Sequence, residues 1–264
     1  MSNMSFYESD LGKEYLKYCQ LKKITLNTSI LNLSDIKWFF PTCLLPLGIF
    51  IKEHQEISVI PPKVPEISNY LELIIKNTLH HAKKSYIPII EIPPNAKLRE
   101  KILEPFMSNQ KAHVGGQNAF AYFIGELIDN IYEHSNFSTA YIMAQKYQKM
   151  NFTEIGIIDN GISIPGSYEN KGFKFTDINA LEEALKGLST KSDERGYGLR
   201  TSLRLLTEGL EANCLIVSRG AGLIKDKNET IFYEMEKFNT FNGTLISIRI
   251  PYKIKEVNIY DYIE

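Results

Sequence analysis

The sequence predicts an α/β (α+β) protein in which helices pack in layers against a sheet. Short apolar runs with strand-like composition recur along the whole chain. Between them lie stretches whose apolar residues return at helical spacing. Apolar residues make up 44% of the 264 residues and charged residues 23%, which is the balance of a globular protein with a buried core.

Strand and helix patterns alternate through residues 1–105, and we predict that these residues form a small α/β domain. The predicted helices cover residues 11–21, 41–51 and 67–80. The predicted strands cover residues 24–33, 57–60 and 87–92. A connection rich in proline and polar residues follows over residues 93–113, with a short helical pattern at residues 98–106.

Residues 106–264 are predicted to form a second domain, a two-layer α/β sandwich with a mixed or antiparallel sheet on one side and helices on the other. The first of its predicted helices starts near Gly116, and others cover residues 178–186 and 199–206. The predicted strands cover residues 139–147, 152–158, 214–218, 230–236 and 244–250.

Charge and cysteine content argue against several classes of protein. The formal net charge is −1, so no excess of positive charge indicates nucleic acid or an anionic membrane as a partner. The three cysteines are scattered and lack metal-ligand spacing, which favours a reducing compartment. No secretory signal is evident, and the longest apolar run, residues 39–51, is too short to span a bilayer. We therefore expect a soluble, cytoplasmic protein.

The predicted helix that starts near Gly116 carries one polar face. This face holds Glu126, Asn130 and Glu133, which follow one another at helical spacing. A carboxylate one turn from a carboxamide suits octahedral Mg²⁺, which prefers oxygen ligands, and it also suits a base held beside an attacking water. The alternative is an ordinary solvated helix face.

Three glycine-bearing segments follow this helix. The first comes directly after a predicted strand, the second opens a predicted helix, and the third starts a predicted strand. They are Asp159-Asn160-Gly161-Ile162-Ser163, then Gly187-Leu188-Ser189-Thr190-Lys191 leading into Gly196-Tyr197-Gly198-Leu199, and then Asn242-Gly243-Thr244. Each segment alone also fits a turn, a solvated loop or the start of a strand.

The residue types in these segments suit an adenine nucleotide. The carboxylate of Asp159 accepts hydrogen bonds and the adenine amino group donates them, while Gly161 lets the backbone approach the base. The glycines before Leu199 keep side chains away from a helix N-terminus, where exposed amides and the helix dipole bind phosphate.

The helix and the three segments, in this order and at these separations, resemble the GHKL superfamily of ATP-binding domains, the relatives of gyrase, Hsp90, histidine kinases and MutL. The resemblance covers roughly residues 112–253 and implies ATP and Mg²⁺ as cofactors. It implies that Asn130 holds the metal, and that Glu126 is the catalytic base or holds the metal through water. The usual pattern has a glycine where this chain has Ser163. The residues expected to bind the cofactor are Asn130, Asp159, Gly161, Ser163, Thr190, Lys191, Gly196, Tyr197, Gly198, Leu199 and Thr244.

Residues 1–105 look like a STAS-like module, a family known for regulatory contacts between proteins. The pattern of residues 31–36, 41–47, 57–60 and 69–71 carries this resemblance. It implies an unidentified protein partner, and because GHKL relatives often dimerise, a homodimer is a further expectation.

The expected function is that of an Mg-ATP-binding regulatory protein, which hydrolyses ATP or is gated by it and acts through protein contacts. Two alternatives stay open. One is a protein serine/threonine or histidine kinase of the anti-sigma or sensor-kinase type, which needs an acceptor residue on another chain. The other is a module that binds ATP without hydrolysing it.

Overall fold

The computed structural model describes residue 6 and residues 8–76, 86–98, 117–188, 198–252 and 256–262. Within these ranges the chain forms seven helices and nine strands. The helices are α1 (Asp10–Thr28), α2 (Pro41–Glu53), α3 (Pro65–Lys76), α4 (Gln117–Asn130), α5 (Ser163–Asn170), α6 (Asp177–Lys186) and α7 (Gly198–Arg204). The strands are β1 (Ile30–Asn32), β2 (Ser58–Ile60), β3 (Tyr86–Glu91), β4 (Ala140–Tyr147), β5 (Phe152–Asp159), β6 (Asn213–Arg219), β7 (Ala221–Lys225), β8 (Thr230–Glu234) and β9 (Phe241–Pro251).

Seven of the described strands form one sheet in the order β3-β4-β5-β9-β6-β7-β8. Every neighbouring pair is antiparallel, so the prediction of a mixed sheet is wrong and the antiparallel alternative is correct. The physical reason lies in the connections, because β4–β5, β6–β7 and β7–β8 are joined by short turns that reverse the chain. Strands β1 and β2 form a separate parallel pair.

The large sheet has helices on both faces. Along β4, Ile142 and Ala144 belong to the core formed with α4, whereas Tyr141 and Met143 belong to the core formed with α1 and α2. The sheet and helices α4–α7 make two layers, and α1 and α2 add a third layer on the opposite face. The mixed α/β character that the sequence predicts is confirmed.

The first 98 residues contribute directly to this arrangement. Strand β3, which the sequence assigns to the first predicted domain, pairs with β4 of the second. Helix α2 also contacts β4, β5 and β9. The predicted boundary between residues 105 and 106 lies outside the described residues, and the division into two domains stays a prediction.

The predicted strand at residues 24–33 is mostly wrong. Helix α1 continues through Thr28, and only Ile30–Asn32 is strand. The helix begins where Oγ of Ser9 accepts a hydrogen bond of 2.9 Å from the backbone N–H of Gly12. It ends at Ser29, whose φ of 57° is left-handed. Ile24 and Leu26, whose alternation favoured a strand, are 59% and 53% exposed on the helix surface.

The remaining predicted helices and strands within the described residues are present, with ends that differ by a few residues. Two observed elements, α5 and β7, were not predicted. Both are short and contain glycine, and α5 also contains Pro165, so neither has the composition of its element. All three cysteines are buried and free. Among the described helices, none has both the length and the apolar character needed to cross a membrane.

Candidate functional site

Asp159 is the last residue of β5 and is only 3% exposed. Its Oδ1 accepts a hydrogen bond of 2.9 Å from the backbone N–H of Gly161. Burial raises the pKa of Asp159 to about 7, although the Gly161 N–H and the Ser135 side chain both act to lower it. The ionised form of this carboxyl group is therefore destabilised unless a further hydrogen-bond donor contacts it.

Gly161 lies directly against the backbone of Ser135. A Cβ at Gly161 would overlap the Ser135 carbonyl, and the backbone N–H of Ile162 donates a hydrogen bond of 2.7 Å to that carbonyl oxygen. Ser135 ends the π-helical turn that follows α4. The loop after β5 is thus fixed to the end of the helix that carries Asn130, and only glycine fits at residue 161.

Ser163 has a φ of 70°, a left-handed conformation that favours glycine. Its Oγ accepts a hydrogen bond of 3.2 Å from the backbone N–H of Gly166 inside α5. The GHKL pattern usually has a glycine at this position, and the backbone of this chain has the conformation that a glycine adopts readily. A serine is accommodated here because its side chain bonds the first turn of the helix that it opens.

Gly243 and Thr244 lie beside Asp159 on the neighbouring strand. Thr244 is the register partner of Asp159 between β5 and β9. Gly243 has a φ of 121°, and a Cβ there would overlap the Asp159 carbonyl. The close approach of β9 to the end of β5 therefore requires glycine at residue 243.

Ser218, which the sequence analysis did not single out, connects this part of the site. Its Oγ lies 2.9 Å from Oγ1 of Thr244 and accepts a hydrogen bond of 2.9 Å from the backbone N–H of Ile164. Ser218 is fully buried at the end of the otherwise apolar run from Leu215. A lone polar residue in a buried strand is the sequence signal that could have identified it.

Glu126 and Asn130 face the start of α7. A Cβ at Gly198 would lie 2.7 Å from Oε2 of Glu126 and 3.7 Å from Oδ1 of Asn130. Both side chains are half-buried, and burial together with the charge of Glu126 raises the pKa of nearby Tyr122. The polar face of α4 is thus placed against the first residue of a helix, and a glycine at that residue leaves the polar groups room.

The donor atoms at this place suit magnesium. One carboxylate and one carboxamide oxygen are hard ligands of the kind that Mg²⁺ binds while keeping several waters. No group of three or more His, Cys, Asp or Glu side chains that could hold a metal occurs within the part of the chain that the structure describes. A magnesium ion at Asn130 would therefore need phosphate oxygens and water to complete its coordination.

The remaining predicted site residues lie partly within and partly outside the described residues. Leu199 is half-buried and packs against the core on the α4 side of the sheet. The predicted contacts at Thr190, Lys191, Gly196 and Tyr197 lie outside the described residues.

A charged cluster holds α5 and α6 to the end of β6. Arg219 bonds both carboxylate oxygens of Glu169, at 2.7 and 2.6 Å, and its Nε lies 2.9 Å from both carboxylate oxygens of Asp177. The backbone N–H of Gly220 also donates to Asp177, at 2.8 Å. These bonds lower the pKa of Asp177 against the opposing effect of burial. These bonds hold the N-terminal end of α6, the helix that precedes residues 189–197.

Comparison with known proteins adds no family to these observations. Neither the protein-family models nor the curated proteins match this chain. Function is therefore inferred from the residues and distances described above.

Proposed function

We propose that this protein binds Mg-ATP in a GHKL-type site and acts as a nucleotide-dependent regulator of a protein partner. One observation supports the proposal: the described residues of the four motifs are linked by contacts around the ends of α4 and β5. Gly198 lies against Glu126 and Asn130, and Ser135 bonds the loop that contains Gly161. Gly243 in turn packs on the backbone of Asp159. The pairing of β5 with β9 and the packing of α4 against α7 hold these segments beside one another, as a shared ligand would require.

Asp159 would select the base. Its carboxylate is a pure acceptor once ionised, and the exocyclic amino group of adenine is a donor. Gly161 lets the loop after β5 pack against Ser135, and this packing fixes the position of the carboxyl group. The buried position favours adenine over guanine, because guanine presents a carbonyl oxygen in place of that amino group and would leave the carboxylate unsatisfied.

Asn130 and Glu126 would act at the phosphates. A bound magnesium ion would neutralise phosphate charge, with the carboxamide oxygen of Asn130 among its ligands. Glu126, one helical turn away, would orient or deprotonate an attacking water. Gly198 leaves room for the Glu126 carboxylate beside the first turn of α7.

Incubation of the full chain with Mg²⁺ and γ-labelled ATP tests the proposal. The wild-type protein is expected to retain nucleotide, and Asp159→Asn and Asn130→Ala are expected to lose it. Asp35→Asn is the matched control, because the same change is made at a side chain that is 88% exposed and distant in the sequence. Equal retention by all four proteins would place the nucleotide elsewhere, and no retention by the wild type would refute ATP binding.

Release of labelled phosphate separates the possible reactions. Release by the wild type but not by Glu126→Gln identifies an ATPase with Glu126 as its base. Retention of intact ATP without release leaves the kinase and the non-hydrolysing switch, which differ in whether the label moves to a partner protein. The packing of α1 and α2 on the sheet supports regulation in each case, because it connects the nucleotide-binding half to the N-terminal residues.

A further inference from the structure

Two side chains of helix α2 pack directly on the backbone of strand β5. A Cβ at Gly156, in the middle of β5, would lie 2.5 Å from Cδ1 of Leu45 and 3.2 Å from Cβ of Pro41. Because residue 156 is glycine, the side chains of Leu45 and Pro41 reach the strand backbone without an intervening side chain. Close packing of this kind can transmit a displacement of one element to the other.

The first turn of α2 is fixed to the start of β5. Phe40, at the N-cap position, has no side chain that can cap the helix. The fully buried carboxylate of Glu154 caps it instead, because Oε1 accepts hydrogen bonds from the backbone N–H of Thr42 at 3.0 Å and from its hydroxyl at 2.7 Å. A carboxylate at a helix N-terminus also interacts favourably with the helix dipole. This end of α2 is therefore held to β5 by buried hydrogen bonds.

The last residue of α2 reaches the loop that carries Asp159. Oε1 of Glu53 accepts a hydrogen bond of 2.8 Å from Nδ2 of Asn160. Oδ1 of the same carboxamide accepts hydrogen bonds from the backbone N–H groups of Ser138, at 3.1 Å, and Thr139, at 2.8 Å. The side chain of Asn160, between Asp159 and Gly161 in the sequence, thus joins the loop both to the start of β4 and to α2.

The contacts at the two ends of α2 differ in their exposure to solvent. The attachment at Glu154 is buried, whereas Glu53 is exposed at the surface. A ligand that binds at Asp159 and Gly161 would displace Asn160, which lies between them in the sequence. The exposed hydrogen bond between Asn160 and Glu53 would then either break or displace Glu53. Because Glu154 holds the N-terminal end of α2, a displacement of Asn160 would change the position of the C-terminal turn of this helix.

We propose that Glu53 is a positioning residue for the Asp159–Gly161 loop, and that its bond to Asn160 couples nucleotide binding to the N-terminal helices. This inference rests on the proposed ATP site. Coupling free energy is reciprocal, so a change at Glu53 alters ATP affinity and ATP in turn stabilises the end of α2. A protein partner that binds the N-terminal helices could therefore control the nucleotide site through this contact.

The test compares Mg-ATP dissociation constants of the full chain and its variants. Glu53→Ala is expected to weaken ATP binding about fivefold or more. Glu53→Gln keeps an acceptor oxygen for Asn160 and is expected to bind ATP nearly as the wild type does. Glu56→Ala is the matched control, because this exposed glutamate follows the same helix and lies 3.1 Å from Nδ1 of His54. Equal affinities for wild type and Glu53→Ala would overturn the inference while leaving the ATP site intact.

Hydrogen exchange of the wild-type protein gives a second measurement that needs no substitution. Saturating Mg-ATP is expected to slow amide exchange in the last turn of α2 and in residues 158–162. Protection of residues 158–162 alone would contradict coupling through Glu53. Absence of ATP binding by the wild type would overturn both the proposed function and this inference, so the two failures are distinguishable.

Discussion

Nε of Arg249 donates a hydrogen bond of 2.7 Å to Oε2 of Glu154, where the two side chains are 8% and 0% exposed. The guanidinium lies 4.8 Å from the ring centroids of both Phe40 and Phe152, which shield the pair from water. The two residues are also register partners between β5 and β9. Each charge is tolerated at this depth only because the other compensates it.

Glu154→Gln is therefore expected to lower the free energy of unfolding by about 3 kcal/mol, because Arg249 keeps a buried charge and α2 loses its charged cap. Asp10 lies 3.4 Å from Nη1 of Arg249 but is 76% exposed, so it compensates little. Urea unfolding measures the change. The control is Lys63→Gln, which removes an exposed ion pair with Asp35 and should cost less than about 0.5 kcal/mol. An equal loss of unfolding free energy in the two variants would contradict the importance of burial.

The stability of the protein should depend on pH through Asp159. Its pKa in the folded protein is about 7, above the ordinary value of 3.8. Between these two values the folded state binds a proton that the unfolded state has lost, so stability falls as pH rises from about 4 to about 7. Asp159→Asn removes this loss and is expected to be more stable than the wild type at pH 8 by on the order of 1–3 kcal/mol. Thermal unfolding across this range measures the difference, which should vanish near pH 4.

ATP affinity is expected to follow the opposite trend with pH. The ionised carboxylate accepts the adenine amino group, whereas the protonated form offers a competing donor, so affinity should rise as pH increases through about 7. Calorimetric titration of Mg-ATP at several pH values measures this dependence. Asp159→Asn should bind weakly at every pH, and an unchanged pH profile in this variant would assign the titration to another group.

Gly198→Ala should impair the phosphate side of the site with little effect on stability. The new Cβ would lie 2.7 Å from Oε2 of Glu126, the far end of a flexible side chain, so the carboxylate would move aside. Because the Glu126 carboxylate would then be displaced from its position beside Asn130, Mg-ATP affinity is expected to fall about tenfold or more. Gly172→Ala is the comparison: its φ of 85° makes alanine strained, but no atom lies within 4 Å of the added Cβ. This control should lose stability and keep ATP affinity.

Ser218→Ala and Ser247→Ala test the role of one buried hydroxyl against another. Both residues are fully buried, on adjacent strands. Without the Ser218 hydroxyl the backbone N–H of Ile164 loses its bond at the start of α5, so we expect a cost of about 1–3 kcal/mol. Within the described residues the Ser247 hydroxyl has no hydrogen-bond partner, so its removal should be neutral or stabilising. Urea unfolding of both variants checks the difference, and a reversed order would contradict it.

Much of the fold could be predicted because local pattern and tertiary environment agree. Pro41 suits the first turn of a helix and begins α2, and the apolar run after it is buried. The end of α1 was misread because Ile24 and Leu26 are apolar residues on an exposed helix surface, where no local rule identifies them. The choice between a mixed and an antiparallel sheet depends on which strands pair, and residue composition does not encode strand order.

The candidate site was harder to predict beyond its motifs. The order of the motifs points to Asp159 and Gly198, but ligand binding at these residues stays a prediction. The contact between Glu53 and Asn160 spans 107 positions in the sequence and involves residue types common at any surface. The left-handed backbone at Ser163 is equally hidden, because serine rarely adopts it and its own sequence neighbours do not require it.

Strand β9 is the last of the described strands in the chain, yet it lies between β5 and β6 at the centre of the sheet. Strands β3–β5 and β6–β8 can each pair as they leave the ribosome, but these two groups meet only through β9. Until residues 241–251 are available for pairing, β5 and β6 each present an unpaired edge. We therefore expect a chain that lacks β9 to aggregate more readily than the full chain, because β9 joins the two groups of strands into one sheet.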